Sequence, residues 1–203
     1  MDEQVLVATR RSLHGVAENV IAGPQHRAHG TIRLHVVPGG FGGVVMPVRV
    51  EGTDLVWDGG RAPVTGTCRQ LAAAAGVDAG PPQGLYHDTS GVDPDEPLAL
   101  DAAAAGLLED WFARGDEGLR MFTPDVEPVL WPEHFDLGIQ LDEVNYGVSA
   151  GDAVHTRPYA YVGPWTPREG EFWNAPFGAL RWMDDLPDAT AVAAFFAEGH
   201  AAT

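Results

Sequence analysis

Along the first thirty residues Leu6, Leu13, Val16, Ala17 and Val20 recur at helical spacing behind Asp2, a good N-cap. The stripe predicts an amphipathic helix that Gly23-Pro24 stops. From Thr31 to Val37 the period changes to two: Ile32, Leu34 and Val36 alternate against Arg33 and His35, so a strand is expected. PGGFGG then reads as a turn into a second strand at VVMPVRV. VRVEGTDLVWDGGRAPVTG reads as three strands joined by tight turns, and TCRQLAAAAGV as a short helix closed by Gly76.

Residues 78–98 are rich in Pro, Gly and Asp and carry no apolar period, which suits a surface connection. Beyond them Asp101 caps AAAAGLLEDWFARGDEGLRMF, with Leu107, Leu108, Trp111 and Phe112 as its apolar stripe. HFDLGIQL, VNYGVS and PYAYVGPW predict three strands, and FWNAPFGALRW a loop with a fourth. Asp188 caps a last helix that buries Val192, Phe195 and Phe196. The expected fold class is α+β, with two similar helix, antiparallel sheet, helix halves, 1–98 and 99–203, packed as one globular unit. A duplication and an independently shared layout both give this plan, and either would place a cleft between the halves.

Composition narrows the function more than the fold. Twelve Lys and Arg against 29 Asp and Glu leave a net charge of −17, which opposes binding to a phosphate backbone or an anionic membrane. No apolar run approaches the roughly 18 residues of a membrane span. The single cysteine, Cys68, excludes an internal disulfide, and MDEQVLVATRRS lacks a basic region followed by an apolar stretch. A cytoplasmic location and a small-molecule partner are expected.

The candidate chemistry lies in the second half. Alternation across HFDLGIQL sets Phe135, Leu137, Ile139 and Leu141 towards the core and His134, Asp136, Gly138 and Gln140 on the other face. His134 and Asp136 then stand roughly 6.6 Å apart, close enough to share a ligand or a proton. Tyr159 and Tyr161 share one face of PYAYV. Asn145 and His155 approach from turns, and Trp165, Trp173 and Asn174 from loops. Aromatic walls with a few polar groups are typical of small-molecule pockets. The expected function is a small-molecule enzyme performing hydrolysis, elimination or isomerisation by acid-base chemistry, without a cofactor. His134, Asp136 and His155 would be catalytic; Asn145, Tyr159, Tyr161, Trp165, Trp173 and Asn174 would bind substrate.

Two other readings stay open. The same residues could bind a metabolite without chemistry, or His134, Asp136 and His155 could form a two-histidine, one-carboxylate site for iron or zinc. SAGDAVH resembles the glycine-to-histidine turn of cupins, but its histidine stands four residues after the glycine rather than three, and the cupin's first-motif Glu and Gly have no counterpart. Exposed tryptophans would also suit a homodimer interface. In the first half, Arg10, His14 and Glu18 at i, i+4 spacing read as a solvated helix face, the alternative being that His14 and Glu18 contribute to a cleft, and His26 and His29 read as loop residues.

LWPEHFDLGI, VNYGVSAGD, PYAYVGPW and FWNAPFGA, with SLHGVAENVIAGPQHRAHGTIRLHVVPGGFGG near the start, resemble a family of uncharacterised actinobacterial proteins of this length. The resemblance spans nearly the whole chain; it is also similar, through the FDL strand, to a larger bacterial family. It implies a bacterial cytoplasmic protein and supplies no catalytic residues.

Overall fold

The structure, a computed structural model, describes residues 1–86 and 89–203. Its fold is α+β, helices with antiparallel sheet, and it divides into two compact units: Met1–Glu109 with Leu130–Phe135, and Asp110–Val129 with Asp136–Thr203. The first unit thus takes in 99–109 and 130–135 beyond the expected 1–98 half. The 78–98 connection, of which His87 and Asp88 lie outside the described residues, is fastened to the first helix. Gly80 N–H donates to the Asn19 carbonyl, Arg11 donates to the Gly91 carbonyl, and Ser12 Oγ and the Ala99 N–H and carbonyl bond to each other. No helix among the described residues is long and apolar enough to cross a membrane.

The first unit opens with α1 (Glu3–Val16), capped by Asp2, whose side chain accepts from the Gln4 N–H. Gly23-Pro24 does not end the helix. A proline ring in an α-helix collides with the carbonyl four residues back. Here the helix widens over Ala17–Ala22 into a π-helical turn, with Gly23 N–H donating to the Glu18 carbonyl, and resumes as α2 (Gly23–His29) with Pro24 in its first turn. The stop comes at Gly30, left-handed at φ 75°. His26 and His29 are therefore helical, not loop residues. From Gly15 to Gln25 every residue is buried, so this stretch is enclosed on all sides rather than amphipathic.

Strands β1 (Leu34–Val37), β2 (Gly40–Gly43), β3 (Val48–Glu51), β4 (Asp54–Trp57) and β5 (Gly60–Pro63) form an antiparallel meander. The GFGG of the expected turn is itself β2; only Pro38-Gly39 turns. Leu34, Phe41, Val48, Val50 and Leu55 face the core. Gln25, fully buried, stitches helix to sheet: Oε1 accepts from Val45 and Met46 N–H, and Nε2 donates to the Thr31 and Arg33 carbonyls. Helix α3 (Cys68–Ala75) has a capping box, Thr67 with Gln70, and the predicted Gly76 stop. Strand β6 (Val129–Trp131) pairs with β1 through Leu34 and Leu130.

Helix α4 (Ala102–Phe122) has the bounds its pattern predicts, and Asp101 caps it by accepting from Ala103 and Ala104 N–H. In the second unit β7 (Asp136–Leu141), β8 (Val144–Ser149), β9 (Tyr159–Pro164) and β10 (Ala179–Trp182) pair in sequence, all antiparallel. Leu137, Ile139, Tyr146, Val148, Ala160, Val162 and Ala179 form the buried face. Val148 packs where Gly115 of α4 has no side chain, and Val162 does the same at Gly199 of α5 (Ala189–Ala202). Phe195 and Phe196 are buried from α5 as predicted.

Candidate functional site

Register fixes what lies on the other face of β7–β10. One row reads Asp136, Ser149, Tyr159, Trp182, the next Gly138, Gly147, Tyr161, Leu180, and a third starts Gln140, Asn145, Gly163. Asp136, Asn145, Tyr159 and Tyr161 thus share a face. Tyr161 lies over the two glycines and donates its hydroxyl to Asp136. Tyr159 donates to Asp152 Oδ2 at 2.7 Å, while Asp152 Oδ1 accepts from Val154 and His155 N–H at 2.6 Å each. Burial would raise the Asp152 carboxyl, but those donors hold it below the usual carboxylate range. Burial first, then the nearby carboxylates, pushes both phenols up, so they stay protonated donors.

His155 sits among the rings of Tyr159, Phe177 and Trp182, at centroid distances of 5.4, 6.0 and 6.0 Å. Its Nδ1 is buried without a hydrogen-bond partner, 3.6 Å from Asp152 Oδ2. Asn174 is occupied structurally: its amide exchanges two hydrogen bonds with the Leu180 backbone at the edge of β10. Trp173 packs edge-on against Phe172, and Trp165 is exposed beyond β9. Asp152, Phe177 and Trp182 were not anticipated; the Asp three residues before His155 was the one available signal.

A Gly147→Ala substitution tests this layer. The new Cβ would lie 2.5 Å from the Leu137 carbonyl oxygen and 2.6 Å from Tyr161 Cζ. The expected loss is about 1–3 kcal/mol in urea unfolding, although alanine normally improves on glycine in a strand. An unchanged or raised midpoint would show that Tyr161 does not rest on Gly147.

The alternation expected across His134-Phe135-Asp136 is not what forms. β7 starts at Asp136, and 132–135 make a turn in the first unit, with Phe135 at φ 51°, where a bulky side chain is strained. Phe135 is buried against His14 (5.4 Å, near-parallel) and Phe41, and His134 is exposed on the turn. Among the described residues no three His, Cys, Asp or Glu side chains converge as a metal site, so His134, Asp136 and His155 do not form the facial triad.

That turn belongs to a second cluster, in the first unit, built on residues that read from sequence as a solvated helix face. Glu18, in the π-helical turn, is 1 % exposed. Its Oε1 accepts from the Tyr86 hydroxyl at 3.0 Å and its Oε2 from Ser90 N–H at 2.8 Å. Burial pushes its carboxyl up despite those donors, and the charge of Glu133 adds to the rise. The Tyr86 phenol is raised by burial and then by Glu18. One turn earlier on the helix, His14 bonds through Nε2 to the Pro132 carbonyl at 2.7 Å, and burial lowers it to about 4, so it is a neutral imidazole donating that N–H. His14 thereby holds the turn that carries Glu133 and His134.

A π-helical turn, an aromatic residue at positive φ and three displaced titrations meet in this cluster, features that concentrate at functional sites. The π-turn had a trace in sequence, a proline inside a helical period; the burial of His14 and Glu18 had none. Comparison of the chain with protein-family models, with curated proteins and with solved structures finds no match.

Proposed function

We propose that the chain is a small-molecule enzyme of the acid-base type, catalysing hydrolysis, elimination or isomerisation at the Glu18 cluster. The observation that carries the reading is a carboxyl buried in a π-helical turn, bonded to a phenol, with a second carboxylate close enough to raise it. Glu18 keeps its proton to a higher pH than a solvated carboxyl and can deliver it to a leaving group; Glu133, half-buried, supplies the second carboxylate. Tyr86 orients Glu18, and His134 stands on the exposed side of the turn. The WPEHFDL segment of the actinobacterial family that the chain resembles supplies Glu133 and His134, and SLHGVAENV supplies His14 and Glu18.

The test is Glu18→Gln on a panel of small esters, hydroxy acids, amino alcohols and ketones. Where wild type turns over a substrate, kcat should fall at least about 100-fold, and wild-type activity should decline as pH rises through the raised Glu18 value. Stability should move the same way. A carboxyl raised in the fold stabilises it below the ordinary carboxylate range and ceases to as pH climbs through the folded value. Glutamine does not ionise, so the variant should gain on wild type in urea as pH climbs through the raised Glu18 value. Full turnover by the variant would refute the assignment.

A second reading, non-catalytic metabolite binding, is favoured by the aromatic wall of the second unit, where Phe177 stays 38 % exposed beside His155. It predicts ligand-induced quenching of Trp182 that Phe177→Ala abolishes.

A further inference from the structure

The outer face of the first unit's sheet has a gap at β2. Register sets His35, Gly42 and Arg49 side by side on β1, β2 and β3, on the face opposite the buried Leu34, Phe41 and Val50. Neighbouring strands lie about 4.8 Å apart, so the His35 and Arg49 backbones stand roughly 9.6 Å apart with only a glycine between them. A cavity of about 180 Å³ occupies the gap, floored by Gly42 and Gly43. His35 and Val37 line it from β1, Arg49 from β3, and Met46 and Pro47 from the connection between β2 and β3. A Cβ at Gly42 would lie 2.7 Å from Arg49 Cβ, so the glycine keeps the space open.

One wall is fixed from beneath. The connection 44–47 contains no glycine, and its backbone is tied to the buried helix by Gln25, whose Oε1 accepts from the Val45 and Met46 N–H groups. A wall held in place this way lowers the ordering cost of binding.

The chemistry of the lining is one-sided. His35 and Arg49 are its ionisable side chains, and no carboxylate among the described residues lines it. Arg49 donates its Nε–H to Glu51, which also has Arg61 at 4.0 Å, and the two terminal nitrogens of Arg49 have no hydrogen-bond partner among the described residues. The His35 ring nitrogens have none either. A net charge of −17 opposes anions in general, so an anion site on this chain must supply its own positive charge. This cavity does so, and none of the Glu18 cluster lines it.

We propose that the cavity binds a small aliphatic monocarboxylate. The carboxylate accepts from the terminal nitrogens of Arg49, whose planar fork matches it, and from a His35 ring N–H, which either tautomer provides. The short chain lies against Val37, Met46 and Pro47. At about 30 Å³ per water-sized group the space holds roughly six such groups, which suits an acid of about three to five carbons and is too small for a nucleotide.

The experiment is titration of the full chain with butyrate, followed by the His35 imidazole resonances in NMR and by the thermal midpoint. Butyramide serves as the neutral isostere and inorganic phosphate as an anion without the chain. Butyrate should move the His35 signals in a saturable way and raise the midpoint. Butyramide, and butyrate with Arg49→Met, should each bind about tenfold more weakly or worse, because the charge-assisted bonds are lost. Arg49→Lys keeps the charge without the fork and should fall between wild type and Arg49→Met. Val37→Phe fills the cavity, leaves the Arg49–Glu51 pair intact and should abolish binding, which keeps the test decisive where Arg49→Met fails to fold. Phosphate binding as tightly as butyrate, butyramide matching butyrate, or an undiminished response in Val37→Phe would overturn the proposal.

Discussion

Phe135→Ala should destabilise the protein by about 3–5 kcal/mol, the usual cost of deleting a buried phenylalanine ring. Phe135 is 1 % exposed, stacked on His14 at 5.4 Å and edge-on to Phe41 at 5.3 Å. The turn it closes also receives the His14 Nε2–H at Pro132. A second substitution makes the mechanism specific. Phe135 has φ 51°, and a left-handed conformation costs a non-glycine residue about 1–2 kcal/mol. Glycine does not pay that strain, so Phe135→Gly should be no less stable than Phe135→Ala, the reverse of the order in helices and strands. Urea midpoints of the two variants decide it. A glycine variant clearly weaker than alanine would mean that the positive φ is not what the sequence holds in solution. His14 should become accessible in both, which pH titration by NMR reads as a rise of its midpoint from about 4 towards an exposed histidine.

Trp111→Ala should cost a similar amount, about 3–5 kcal/mol, and should also disturb the second unit's outer layer. Trp111 is fully buried on α4, and its Nε1–H donates to the Ser149 carbonyl at 2.9 Å. Ser149 ends β8 opposite Asp136 and Tyr159, and its Oγ accepts from Gly151 N–H. Removing the indole leaves a cavity under the sheet and an unpaired buried carbonyl. Trp111→Phe keeps most of the volume and loses the hydrogen bond, so it should cost about 1–3 kcal/mol. Differential scanning calorimetry separates the two contributions. Equal losses for Phe and Ala would assign the effect to the hydrogen bond and not to packing.

Both residues sit in segments whose local structure was legible to different degrees. Trp111 falls on a stripe with Leu108 that repeats at helical spacing, and α4 starts and ends where Asp101 and that stripe say it should. Period, caps and turn glycines likewise placed α3, β3 to β5, β7 to β9 and α5, because each is decided by neighbours within a few residues. Alternation also put Tyr159 and Tyr161 on one face of their strand and Asp136 on the face of its strand away from the core, since period two survives any choice of partner strand; the register of β7, β8 and β9 is what joins the two faces. His134 escaped the same logic. Alternation holds only inside a strand, and the chain enters β7 through a turn whose left-handed Phe135 is fixed by His14 and Phe41, residues about 120 and 95 positions away in sequence.

The sequence by itself determined the α+β class, most element bounds, the acidic character and the identity of the groups available for chemistry, because these follow from composition and short-range period. Only the tertiary structure decided which groups meet. A helix face carrying Arg10, His14 and Glu18 is polar in sequence and reads as solvated. It is buried because the 78–98 connection and the 132–135 turn, distant along the chain, cover it and give Glu18 the Tyr86 hydroxyl, the Ser90 N–H and the field of Glu133. Desolvation and Coulomb energy depend on distance in space, and no periodicity along one chain records them.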